Sequence, residues 1–228
     1  MKKIISLAVA LAFACANPGF TQLPRIGVAG GVAGRVRALA PTPGAAGRIM
    51  SSGKTVYNRD KISTDARGRM QVLLLDETVF TIGPNSEMEL DEFIYDPFTN
   101  SGKISASVTK GVFRFVSGKI ARKNPSDMKV KLPTGTIGIR GTIAAGNVSG
   151  FPILVALVGP GPNNNANERP GMITVTSGGS TVKITRPGFG VMIPGPGQPP
   201  SLPFKLTPKQ YEQLQTKPKA QPGGSGGA

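Results

Sequence analysis

Seven of the chain's twelve carboxylates lie between Asp76 and Asp96: Asp76, Glu77, Glu87, Glu89, Asp91, Glu92 and Asp96. Two carboxylates about 5–9 Å apart across a cleft are the machinery of glycoside hydrolysis. The same side chains could hold calcium, but the DxDxDG loop that wraps that ion is absent. The alternation of residue types argues for a plainer arrangement. It turns Met88 and Leu90 inward and puts Glu87, Glu89 and Asp91 on one outward strand face, solvated or cation-binding.

Other chemistry is excluded by composition. The chain has no His, no Trp and one Cys. A Ser-His-Asp triad, a His-ligated metal and a histidine proton shuttle are therefore ruled out. A single Cys builds neither an intrachain disulfide nor a thiolate metal site. Ser51-Ser52-Gly53-Lys54-Thr55 imitates the end of a phosphate-binding loop. That loop needs a Gly where Arg48 stands and a helix to follow, so a turn is the better reading. Gly27, Gly30, Gly31 and Gly34 do not fit GxGxxG and read as packing or flexibility. No cofactor and no metal are expected.

The formal net charge is +15, and the positives are spread widely. A chain this basic is drawn to anionic polymers. Lys103, Lys110, Arg114, Lys119, Arg122, Lys123, Lys129 and Lys131 are the candidate contacts, expected to form one continuous stripe if a polymer is the ligand. The ten Phe and three Tyr fall mostly at core-phase positions rather than among the charges, which argues against specific nucleic-acid binding.

These residues must be positioned by strands. Gly and Pro are abundant, with 31 and 21 residues, and short apolar-polar runs recur between turn signals. Met70–Leu75 is apolar on both faces, which predicts a central strand. Thr78–Ile82, Glu87–Leu90 and Glu92–Tyr95 follow. Ile104, Ala106 and Val108, then Phe113 and Phe115, Val130 and Leu132, and Ile137 and Ile139 take inward positions. Met172–Thr176, Thr181–Thr185 and Phe189–Ile193 continue the pattern. One helix is predicted, with Thr207 as N-cap, Pro208 at the first position and Gln210 completing a capping box, running to about Thr216.

The stretch Leu75–Gly146 resembles the FecR-like domain of bacterial envelope proteins. The resemblance rests on LLLDETVFTIGPNSEMELDEFIYDP, on GKISASVTKGVFRFVSGKI, and above all on PTGTIGIRGT at Pro133–Thr142, with a short strand at Asp60–Thr64 upstream. It implies an all-β fold, solenoid-like or a sandwich of short strands, joined here by one short C-terminal helix. The motif residues are Gly83, Pro84, Asn85, Ser86, Gly138, Arg140, Gly141 and Thr142. Gly83–Ser86 reads as a tight reversal. Gly138 and Gly141 suggest bulges or close backbone approach, and Arg140 could pair with the acidic strand or cap carbonyls. These residues read as specifying the fold rather than a site. The name-giving members of the family sense an outer-membrane iron transporter and act on a cytoplasmic sigma factor. No cytoplasmic N-terminal domain or membrane-spanning helix is legible here, so that role is not expected to carry over.

Met1–Lys3 followed by the apolar run Ile4–Ala14 predicts a signal peptide over residues 1–16. Plain secretion with Cys15 removed is favoured over lipidation of Cys15, which would be the one membrane attachment. Loss of Lys2 and Lys3 lowers the charge from +15 to +13. The rest divides into a Gly/Ala-rich segment (17–53), the β domain (54–150), a Gly/Pro-rich β extension (151–206), the helix (207–217) and a flexible tail (218–228). The expected protein is exported to the periplasm or surface of a Gram-negative bacterium. It is expected to be a non-enzymatic interaction or ligand-sensing module with an envelope protein as partner. The alternatives are a basic scaffold on anionic envelope polysaccharide and a carboxylate-based hydrolase.

Overall fold

The computed structural model describes residues 23–159 and 171–214. The signal peptide with Cys15, most of the Pro-Gly-Asn loop before Met172, the predicted end of the helix and the tail lie outside the described residues.

The described residues form strands β1 (Arg25–Ala33), β2 (Val36–Leu39), β3 (Arg48–Ile49), β4 (Thr55–Tyr57), β5 (Lys61–Thr64), β6 (Arg69–Leu74), β7 (Val79–Ile82), β8 (Glu87–Asp96) and β9 (Ser101–Lys110). They continue with β10 (Val112–Val116), β11 (Met128–Leu132), β12 (Gly135–Arg140), β13 (Ile143–Asn147), β14 (Ile153–Gly159), β15 (Met172–Ser177), β16 (Ser180–Ile184), β17 (Phe189–Ile193) and β18 (Phe204–Lys205). Two short helices, α1 (Lys119–Lys123) and α2 (Pro208–Gln213), complete the set.

The fold is all-β: two open nine-stranded sheets. The first runs β4-β1-β6-β7-β10-β13-β14-β17-β18 and the second β3-β2-β5-β8-β9-β11-β12-β15-β16. The chain lays one or two strands in one sheet, crosses to the other and returns, advancing along both. This makes the sandwich solenoid-like in its progress. β9 and β11 are the parallel pair, because β10 crosses to the first sheet and the chain returns through α1 and the turn Pro125–Asp127. Residues before 54 supply β1–β3 and residues after 150 supply β14–β18 to the same two sheets.

The core lies between the sheets. Every inward residue expected from β8 to β12 is buried, including Met88, Leu90, Ile104, Val108, Phe113, Phe115, Val130, Ile137 and Ile139. One expectation fails at β6. The strand is interior in its sheet, but Leu73 and Leu75 are exposed on the outer face, where Leu73 covers Gly30 of β1. An antiparallel sheet leaves one face to solvent even at an interior strand.

A smaller apolar cluster sits on the outer side of the first sheet, distinct from the main core. Ala145, Leu154 and Ala156 meet Leu206 and Leu214 from the segment carrying β18 and α2. The capping box forms: Gln210 N–H donates to Thr207 Oγ1, and Thr207 N–H donates to Gln210 Oε1. Leu214 is 2% exposed. Leu214→Ala is expected to free this strap by about 2 kcal/mol. Limited proteolysis should then cut faster after residue 203, while the urea midpoint of the main core stays unchanged.

Candidate functional site

The motif residues fall in separate places: Gly83–Ser86 lies beside Val112 at one end of β10, Thr142 beside Ser117 at the other, and Gly138 within β12. In the Gly83–Ser86 reversal Asn85 takes a positive φ of 50°, and Ser86 is buried. Thr64 Oγ1 donates to Gly83 O at 2.7 Å and accepts from Ser86 N–H at 2.8 Å. Ser86 Oγ accepts from Val112 N–H at 3.1 Å. Gly111, at φ 90°, leaves room for that hydroxyl, which a Cβ there would strike. Short polar side chains here replace the backbone partners that a crossing chain gives up.

Thr142 is likewise buried. Its N–H donates to Ser117 Oγ at 2.5 Å, Ser117 Oγ donates to Thr142 O at 2.9 Å, and Thr142 Oγ1 donates to Gly159 O. Gly138 is no bulge, because β12 keeps unbroken register with β11 and β15. It is a point of close approach: a Cβ there would lie 2.6 Å from Thr174 Oγ1. Gly141 ends the strand at φ 50°. Arg140 forms no ion pair with the acidic strand among the described residues. It sits on β12, beyond β9 and β11 from β8, so the lysines of the nearer strands reach the acids first.

The acids line the outer face of the second sheet, with a change of register. The two strands expected at Glu87–Leu90 and Glu92–Tyr95 are one strand, β8. Its register against β9 slips between Glu89 and Glu92, so Leu90 and Asp91 stand opposite Ala106 alone. The bulge puts Asp91 and Glu92 on the outer face in succession, which strict alternation does not predict. Asp91 Oδ2 accepts from Ser105 Oγ at 3.0 Å and Ser107 Oγ at 2.9 Å, and Lys131 Nζ lies 3.2 Å away. Glu92 pairs with Lys103 at 2.9 Å and Glu87 with Lys61 at 3.7 Å. Among the described residues no cluster of three or more acids or thiols could hold a metal.

The cations do not form one stripe. Arg114 belongs to β10 in the first sheet; Lys103, Lys110, Lys129 and Lys131 belong to the second. Lys119, Arg122 and Lys123 lie on α1, a helix that the sequence pattern did not reveal because it spans five residues. Lys103 and Lys131 are engaged by Glu92 and Asp91, and Lys119 by Glu77 at 2.8 Å. The hydrogen bond from Lys119 lowers the Glu77 carboxyl below its ordinary value, and Glu77 in turn raises Lys119. A carboxyl lowered on folding stabilises above its unfolded titration and loses that contribution as the pH falls through the folded value. Lys119→Met is therefore expected to shift the urea midpoint slightly at pH 7 and not at all at pH 2, the shift being small because the pair is exposed.

Asp76 anchors α1. It is 0% exposed. Its Oδ1 accepts from Thr78 N–H at 3.1 Å, and its Oδ2 accepts from Thr78 Oγ1 at 2.7 Å and Ile120 N–H at 3.4 Å. From the other end of the helix Lys123 Nζ donates to Thr99 O at 2.6 Å and Ser101 Oγ at 2.7 Å. α1 thereby braces the β8–β9 hairpin. At the tip Asp96 accepts from Phe98 N–H at 2.9 Å and Thr99 Oγ1 at 2.6 Å, and these bonds hold its carboxyl below the ordinary value. The braced tip presents Ile94, 59% exposed, and Phe98, 96% exposed.

Residues 60–158 match the family model described as FecR protein. This segment is thus similar to the FecR family over 99 of the chain's 228 residues. The match begins at Asp60, just before β5, and ends in β14, so it takes in the upstream strand and reaches past Gly146. The FecR segment holds the bulge, the braced hairpin and the polar stitches around Ser86 and Thr142. Two crystal structures, each of a candidate anti-sigma factor from Parabacteroides distasonis, are similar to the chain at 16% and 14% identity, with TM-scores of 0.46 and 0.45. Each alignment covers 64% of this chain and 59% of the other, so the chain spans under two thirds of their length. No curated protein matches. Among the described residues no helix is long and apolar enough to cross a membrane.

Proposed function

We propose that this FecR-like protein is an exported regulatory or sensing module that works by binding an envelope protein rather than by catalysis. The observation that carries the reading is the β8–β9 hairpin tip within the FecR segment. An aromatic ring held clear of the surface on a braced turn loses little entropy when a partner covers it, and aromatic residues dominate binding hot spots. The acids support the same reading, since Asp76 is consumed in anchoring α1 and Asp91 and Glu92 are tied to lysines. Export rests on the N-terminal residues 1–16, a basic start followed by a short apolar run.

The test is capture from Gram-negative envelope extracts on the immobilised full chain. A protein retained through high salt, and lost with Phe98→Asp, is the expected result. Capture of a polysaccharide that high salt releases, equally with the wild type and Phe98→Asp, would overturn the proposal in favour of a basic scaffold.

A further inference from the structure

The outer face of the second sheet carries a groove away from the acids. Lys129 of β11 pairs with Gly138 of β12, Gly138 with Thr174 of β15, and Thr174 with Lys183 of β16. These residues form one row across four strands. They face outward, because Ile137, Ile139, Ile173 and Val175 between them are buried in the core. Gly138 leaves the centre of the row without a side chain. A groove of about 260 Å³ opens there, lined by Ser126, Lys129, Gly138, Arg140, Met172 and Thr174 among others. Arg140 stands two residues from Gly138 on the same strand face, about 7 Å along. Among the described residues neither Lys129 nor Arg140 is in an ion pair, unlike Lys103 and Lys131 on the acidic side of the sheet.

We propose that this groove binds an extended acidic peptide, seating one apolar side chain over Gly138 and a neighbouring carboxylate between Lys129 and Arg140. The size selects a side chain over a whole small molecule, since 260 Å³ falls short of the roughly 300–1,000 Å³ of small-molecule sites. The lining is mostly carbon, with cations at its rim. A polysaccharide would leave hydroxyls unpaired against that carbon, which is costly, whereas a Leu or Phe side chain would not. The guanidinium of Arg140 suits a carboxylate, which it can hold through two parallel hydrogen bonds. The site is separate from the hairpin tip, so the two contacts can be tested apart.

The test is fluorescence anisotropy on the full chain with labelled decapeptides. One alternates Leu with Glu, one replaces each Leu by Ser, and one replaces each Glu by Gln. Polygalacturonate serves as competitor. The Leu/Glu peptide is expected to bind at least tenfold more tightly than the other two. Arg140→Gln and Lys129→Gln should each weaken it about tenfold, the scale of one charge-assisted contact. Thr174→Leu, which fills the groove from the outer face and leaves the core alone, should weaken it too. Phe98→Asp and the remote Lys54→Gln should not. Unchanged thermal melts establish that the variants are folded. Equal binding of the Ser-substituted peptide, displacement by polygalacturonate at equal charge, or an equal loss with Lys54→Gln would overturn the proposal and leave only attraction to a basic surface.

Discussion

Phe115→Ala is expected to cost about 3–5 kcal/mol, the loss typical of a buried aromatic replaced by alanine. Phe115 is fully buried on β10, in the middle of the first sheet. Its ring centroid lies 5.9 Å from that of Phe80 on β7 and 6.3 Å from that of Phe113 on its own strand. Aromatic pairs at such separations add to the burial of area alone. The cavity cannot close easily, because β10 is hydrogen-bonded on both edges, to β7 and to β13. Domains of this size have only about 5–15 kcal/mol of stability in total, so much of it goes. Urea unfolding should show a lower midpoint at unchanged slope. Phe98→Ala is the contrast: the same chemical change at an exposed ring should stay within about 0.5 kcal/mol. A loss below 1 kcal/mol for Phe115→Ala would mean that the three rings do not form the centre of the core.

Asp76→Ala is expected to be nearly as damaging, by about 3–4 kcal/mol, for a different reason. The substitution removes little apolar area. It leaves Thr78 N–H, Thr78 Oγ1 and Ile120 N–H without the acceptor they share. Buried groups that lose their partner cost about 1–3 kcal/mol each, since water does not reach them to compensate. The loss should also travel. α1 would lose the carboxylate contact at its amino end, keeping only the 2.7 Å bond from Lys119 N–H to the residue 76 carbonyl, and Lys123 would hold the β8–β9 hairpin less firmly. Hydrogen exchange at the backbone amides of Ile94–Ser101 should therefore quicken more than the global destabilisation accounts for. Exchange that speeds up equally in every strand would refute the bracing role while leaving the stability loss intact.

Much of the β architecture was legible in the residues, because a strand turns successive side chains to opposite faces. Met88 and Leu90, Val130 and Leu132, and Ile137 and Ile139 alternate with polar neighbours, and all six are buried. β17 coincides with the predicted Phe189–Ile193, and the capping box at Thr207 forms. The weaker readings have two causes, dependence on neighbouring strands and shortness. β1 is rich in Gly and Ala, and its identity as a strand depends on pairing with β4 and β6 on either side. α1 is too short for a helical period to show. The β8 bulge depends on how β9 lies against it, and no pattern within β8 records that.

The candidate site divides in the same way. Residue types alone excluded histidine chemistry, an intrachain disulfide and a thiolate metal site, called for a β fold, and marked the reversal at Gly83–Ser86 and the glycines of Pro133–Thr142. Those conclusions rest on local properties: which atoms a side chain has, which faces alternate, and which backbone angles a residue tolerates. Only the tertiary structure decided which charges meet. It brought Lys131 to Asp91 and Lys103 to Glu92, set Arg140 apart from the acids, split the eight cations between two sheets and a helix, and put Phe98 on a braced tip. The physical reason is range. Strand alternation acts over two residues, whereas ion pairing and exposure depend on register and sheet order, which are settled by contacts between residues far apart in the chain.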